Sequence, residues 1–260
     1  MIRAFRVKPV GGSTALGSEN GVHREGLEMK LNSIAKAFLG LTAAGVAYTF
    51  LVRPWHLRWG ATDEELAMPL PGDDIKPEAG VSVTHAVTID APREHVWRWL
   101  VQIGQGRGGF FSYDFIENLF DLDIRNVYEI RPELQELKLG DFVRSAHEGW
   151  LGGRFDDKAG WFVVGLEPNH YLVLRDEIEH GSWVFVLNPV PENKTRLIIR
   201  ARGDRPVGLV KWMLHHSVFE PAHFVMERKM MLTLKELAEN GPRSNTELSS
   251  PSPREILIQA

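Results

Sequence analysis

The chain has 260 residues, 43% of them hydrophobic and 25% charged, and a formal net charge of −4. That composition supports a sizeable core and excludes wholesale disorder, and without a basic excess nucleic acid is not an expected partner. The sequence contains no cysteine, which removes disulfides, thiolate nucleophiles and cysteine-based metal sites, and leaves the compartment open.

Residues 1–33 are polar and rich in Gly and Ser, with no helical or strand period. They read as a disordered N-terminal extension, with Met29 as an alternative start. Residues 34–52, IAKAFLGLTAAGVAYTFLV, are apolar all round, with Lys36 as their one charge. A run of about 19 such residues just spans a ~30 Å hydrocarbon core. Arg53, Trp55, Arg58 and Trp59 follow it, the pattern of a membrane interface. The expectation is a single-pass anchor and a membrane location, of undetermined orientation. The competing reading is a buried helix of a soluble, cytoplasmic domain.

Residues 53–80 read as a linker. Within it Thr62 and Glu65 have capping-box spacing for one short helical turn, and PLPGDD, residues 69–74, breaks regular structure.

From residue 81 the pattern becomes that of a domain. Val81, Val83, His85, Val87 and Ile89 alternate with period two, a strand. Asp90-Ala91-Pro92 ends it, and Pro92 suits a first helical turn. Val96, Trp97, Leu100, Val101 and Ile103 then recur at helical spacing, residues 104–109 form a glycine loop, and 111–120 read as a second short helix. Strands are predicted at 141–145, 160–167, 171–177, 182–190 and 195–202, separated by turn signals. A helical stretch over 207–239 closes the domain, with Pro221 expected to divide it. Residues 241–260 are a Ser/Pro-rich tail, expected to be disordered. This order is no βαβ alternation, which excludes a doubly wound parallel sheet.

The stretch Ile89-Asp90-Ala91-Pro92-x-x-x-Val96-Trp97 and the late amphipathic run from Glu220 to Met230 carry a resemblance. Together with the element order, they make residues 81–240 resemble the START-like (SRPBCC) superfamily, with its polyketide cyclase/dehydrase and lipid-transfer members. The resemblance implies an α+β helix-grip fold, a curved antiparallel sheet wrapped around a long C-terminal helix, with the N-terminal apolar helix outside it. It further implies a cavity for a sterol, lipid, polyketide or other apolar ligand, and it carries no universal catalytic residue and no cofactor.

Candidate residues follow from chemistry. Gly104–Gly109 spells G-x-G-x-x-G, but it follows a helix instead of opening one, so it reads as a turn and not a nucleotide site. Arg107 in that loop would meet an anionic head group at a cavity mouth. His216, Glu220 and His223 would share a face of an unbroken helix. With no further ligands in sight no metal site is expected, but Glu220 and His223 are candidates for polarising a ligand. Tyr113, Asp114 and Glu117 could do acid–base work; the bland reading is helix capping. Asp176, Glu177, Glu179 and His180 read as a solvated strand end. Among many aromatic and Met side chains, Trp161, Trp183, Phe185 and Met226 are selected as cavity lining. Three functions remain open: a membrane-tethered binder of a hydrophobic small molecule, a cyclase/dehydrase-like enzyme using Tyr113, Glu220 or His223, and a regulatory or co-chaperone-like interaction domain.

Overall fold

In the computed structural model, residues 33–241 are described, apart from 38, 41 and 179. The N-terminal extension and C-terminal tail expected from the sequence fall almost wholly outside these residues, as does Glu179. The chain divides into two compact units between Pro54 and Trp55. Helix α1 (Ser33–His56) leads from the first into the second; among the described residues it is the one helix long and apolar enough to cross a membrane.

The second unit is built on a six-stranded antiparallel sheet in the order β1-β6-β5-β4-β3-β2. The strands are β1 (Val81–Ile89), β2 (Phe142–Arg144), β3 (Gly160–Glu167), β4 (Tyr171–Asp176), β5 (Ser182–Val190) and β6 (Lys194–Gly203). Short helices α2 (Asp63–Ala67), α3 (Arg93–Leu100) and α4 (Asp114–Asn118) precede β2 in the chain; α5 (Leu209–Leu214) and α6 (Glu220–Asn240) follow the sheet. Helix α6 packs against α3 and β1. Sheet and C-terminal helix are consistent with the helix-grip α+β class.

Period-two alternation assigns the two faces of the sheet. Leu172, Leu174, Phe185, Leu187, Leu197 and Ile199 join one core with Met230, Met231, Leu234 and Leu237 of α6. Val173, Val184, Val186 and Ile198 point the other way and pack with Leu70 and Ala86.

That second face corrects the reading of residues 53–80 as a linker. The stretch is integral to the domain, because it covers apolar surface that would otherwise be wet and supplies acceptors for three arginines of β6. The predicted capping box forms: Glu65 N donates to Thr62 Oγ1 at 3.2 Å and Thr62 N to Glu65 Oε2 at 2.8 Å. Glu65 then takes Arg196 in a two-pronged pair at 2.7 and 2.9 Å, which holds its carboxyl below the usual range. Arg200, only 3% exposed, donates to Asp73 Oδ2 at 2.7 Å and to the carbonyls of Met68 and Glu65 at 3.0 and 2.7 Å. Arg202 reaches the carbonyls of Lys76 and Pro77. Gly72, at φ +83°, is required where the segment turns against the sheet, since a Cβ there would stand 2.6 Å from Val173 Cγ1.

Pro221 does not divide the closing helix as expected. It sits in the first turn of α6, directly behind a π-helical turn, His215–Phe219. A proline lacks the N–H that would bond four residues back, and the wider π turn accommodates that gap without breaking the run. Pro54 stands in the same relation to a π turn at Tyr48–Val52.

Replacing Arg200 with Ala strands several buried acceptors and the Asp73 carboxylate. The expected cost is about 3–5 kcal/mol of unfolding free energy, read as a lower urea midpoint, whereas Arg58→Ala, whose partner Asp63 is exposed, costs less than about 1 kcal/mol.

Candidate functional site

Between the sheet and the closing helix lies a cavity of about 600 Å³. Its apolar wall includes Val83, Phe110, Trp161, Trp183, Met226 and Met230. The aromatic part is continuous: Trp161 and Trp183 have ring centres 5.1 Å apart, and Phe110 lies 5.9 Å from Trp161.

The polar end is built around Glu227, a buried carboxylate on α6. Its Oε1 faces His85 Nδ1 at 2.6 Å, its Oε2 accepts from Trp183 Nε1 at 2.9 Å, and His223 Nε2 stands 3.2 Å from the same oxygen. His85 Nε2 meets the carbonyl of His56 at 2.6 Å. Both ring nitrogens of His85 thus face oxygen atoms, one from a side chain and one from the backbone. Burial pushes the Glu227 carboxyl up, but the charge of His223 and hydrogen bonds from His223 and His85 outweigh it and hold the group well below the ordinary carboxylate range.

His223 lies one turn before Glu227, and its side chain is 45% exposed, with the cavity in front of it. Burial among protein atoms opposes its protonation; attraction to Glu227, their hydrogen bond and the nearby Glu220 prevail and raise its pKa. Glu220 is buried on the same wall, 3.5 Å from His56 Nε2 and 3.8 Å from His215 Nε2.

Glu117 of α4 is the other titratable group of note on the wall. Its Oε2 is buried without a hydrogen-bond partner. Burial, reinforced by the negative charge of Asp114, pushes its pKa up to about 7. The cavity therefore carries two carboxyls of opposite character, one held ionised and one that keeps its proton almost to neutrality.

The residues selected from sequence divide accordingly. Trp161, Trp183, Met226, Glu220, His223 and Glu117 are brought together on the cavity wall. Phe185 is not; it is fully buried behind Trp183, with ring centres 4.7 Å apart. Arg107 is not on the wall either. Its guanidinium donates to the carbonyls of Val101 at 2.8 Å and Leu134 at 3.1 Å, so it fastens the glycine loop, which closes on itself through paired Gly104–Gly109 hydrogen bonds. Tyr113 sits at the start of α4, where its carbonyl accepts from Ile116 and Glu117, and it is absent from the wall. Asp176 is on the wall, but its carboxylate accepts from the amides of Ile178 and Gly181 and shapes the turn. Glu177 pairs with Arg175. His216 stacks on Trp212 and stands apart from Glu220 and His223. The reason is the π turn, which advances the phase by one residue, so that His215 takes the place expected for His216. Among the described residues no group of three or more potential ligands is arranged to hold a metal ion.

His56, His85, His215 and Glu227 were not singled out from the sequence. Two signals were legible: the i, i+4 spacing of His223 and Glu227, and a histidine occupying an inward position of the β1 alternation. The contribution of His56, at the end of an apolar run, had none.

No protein-family model matches the chain. A stretch of 153 residues, 58% of the chain, is 26% identical to inositol-3-phosphate synthase of Mycolicibacterium smegmatis, and the chain spans about a third (34%) of that relative's length. Among solved structures, the Aha1 dimer from Colwellia psychrerythraea is similar over 62% of this chain and 98% of its own, at 18% identity and a TM-score of 0.35. Protein NE0264 from Nitrosomonas europaea is similar over 66% and 97%, at 15% identity and a TM-score of 0.38. DynU16, from the dynemicin biosynthetic locus, is similar over 62% and 48%, at 14% identity and a TM-score of 0.36. At scores this low the description of the fold rests on the strand order and the closing helix themselves.

Glu227→Ala leaves His85 and the Trp183 N–H buried without their acceptor, and an expected loss of about 3–5 kcal/mol follows, measurable by urea denaturation. Glu117 acts in the opposite sense. Its folded pKa, about 7, lies above the ordinary carboxyl value of 4.5, so between those values the folded chain retains a proton that the unfolded chain releases. Stability falls as pH rises through that window. Glu117→Gln removes this decline, and its urea midpoint exceeds that of the unaltered chain at neutral and higher pH.

Proposed function

We propose that the domain is a START-like binder of an amphiphilic small molecule with a lipid-, sterol- or polyketide-like apolar body, tethered to a membrane by α1. The observation that carries this reading is the cavity: about 600 Å³, the size of a small-molecule site, apolar along most of its wall with a few convergent polar groups. The aromatic and Met surfaces would take the apolar body, since burial of such surface drives affinity at ~25 cal/mol per Å² before binding costs. His223, charged beside Glu227, would take an acceptor or anionic group at the polar end.

Native mass spectrometry of the full chain, released from detergent micelles, tests the reading. A co-purifying molecule of apolar character is expected. Met226→Trp, which fills the cavity from its wall, leaves the fold intact and loses that mass. A bare chain that stays bare after incubation with lipid and polyketide extracts sinks the proposal.

A second reading, proton transfer on the bound molecule, is favoured by the presence on one cavity wall of the raised carboxyl of Glu117 and the ionised Glu227. Environments that push two carboxyls apart in this way separate an acid from a base. Under it, Glu117→Gln retains a bound molecule that differs from the one held by the unaltered chain, as read by chromatography and mass spectrometry of the extracted ligand. An identical molecule in both leaves the binder alone standing.

A further inference from the structure

Residues 207–219 are helical over most of their length, yet they do not bury their apolar side chains. Val207 is 84% exposed, Leu209 73% and Phe219 62%. Val210, Trp212, Met213, Leu214 and Val218 are exposed as well. A contiguous apolar surface of this kind on a soluble domain marks a contact with another apolar phase.

Three observations choose the partner. The first is charge: from Arg205 to Phe219 the chain has no Asp or Glu, while Arg205 and Lys211 are basic, in a protein whose net charge is −4. That is the complement of an anionic lipid surface. The second is composition: Trp212 within an aliphatic helix that also bears Lys211 is the pattern of a helix lying in a membrane interface. The third is position. Trp55 and His56, the last residues of α1, pack against Phe224 of α6 with ring centres 5.4 and 5.3 Å away. The point where α1 ends is therefore little more than one turn from Phe219. A second exposed apolar cluster, Phe115, Leu119 and Phe120, has Asp114, Glu117, Asp121 and Asp123 among and beside its residues and no Lys or Arg, and lacks this character.

Phe219 also lines the cavity, next to Glu220 and His223. We propose that residues 207–219 lie in the interface of the bilayer that α1 enters, and that the cavity opens against that interface, so that its ligand is exchanged directly with one leaflet. The inference rests on α1 being an anchor and on the cavity being a ligand site, and deepens both.

The absence of cysteine permits a clean test. Met213→Cys accepts a single nitrobenzoxadiazole label. Glu192→Cys, in the β5–β6 turn, is the control, since it lies at the opposite end of strands nine and ten residues long, or about 30 Å away. The full chain is reconstituted in vesicles of phosphatidylcholine and phosphatidylglycerol containing lipid with a doxyl quencher on its acyl chain. Emission at position 213 is expected to fall by roughly half, the depth of an interfacial helix being about 5–10 Å, and that at position 192 to stay unchanged. Adding Val210→Glu restores the emission at 213. An unquenched label at 213 on a chain that resists alkaline carbonate overturns this inference and leaves the anchor standing. A blue-shifted but unquenched label overturns it in favour of a second copy or another protein segment covering the patch. Release of the chain by carbonate overturns the anchor and this inference together. The mass of any co-purifying ligand is read independently of all three.

Discussion

A buried carboxylate without partners is unstable by several kcal/mol, and Glu227 is where this domain confronts that constraint. The solution draws on four parts of the chain. His85 comes from β1, Trp183 from β5 and His223 from α6 itself, and His85 is in turn held by the carbonyl of His56 at the end of α1. No single element could satisfy both oxygens. The network therefore fixes how the closing helix sits on the sheet more sharply than its apolar stripe could, because Leu and Met contacts tolerate sliding and a shared carboxylate does not.

The same network explains why a cavity persists beside a well-filled core. Trp183 is held by its N–H to Glu227, which keeps its ring on the wall, with Phe185 packed behind it and Trp161 beside it. Towards the C-terminus of α6, where Met230, Met231, Leu234 and Leu237 are buried, the helix meets the sheet directly. The helix is thus apolar and closed at one end, polar and open at the other. On the far face of the sheet, the arginines of β6 fix residues 60–77 by ion pairs and carbonyl contacts instead, so the sheet is stiffened from outside without occupying the cavity side.

Much of this was legible in the sequence, for reasons that differ by level. The strands were, because alternation along β1 and the turn signals between the later strands are local features of the chain. The capping box at Thr62 and Glu65 was, because it is local. The role of residues 53–80 was not. Its partners, Arg196, Arg200 and Arg202, lie more than a hundred positions away, and a stretch with Pro, Gly and Asp looks the same whether it is solvated or clamped. The cavity wall was read in part, through Trp161, Trp183 and Met226, while Phe185 shows the limit: inward-facing residues two apart on one strand divide into wall and core by depth, which a period cannot encode. Arg107 misled because a guanidinium in a glycine loop serves loop carbonyls as readily as a ligand.

The histidines make the sharpest case. In a regular α-helix His216, Glu220 and His223 share a face, and the spacing rule selects them. Pro221 cannot donate to its helical acceptor, and the π turn before it advances the face by one residue, which brings His215 towards Glu220 and turns His216 out onto Trp212. A backbone constraint set by one proline thus decides which histidine joins the polar end of the cavity and which joins the exposed apolar surface beside it.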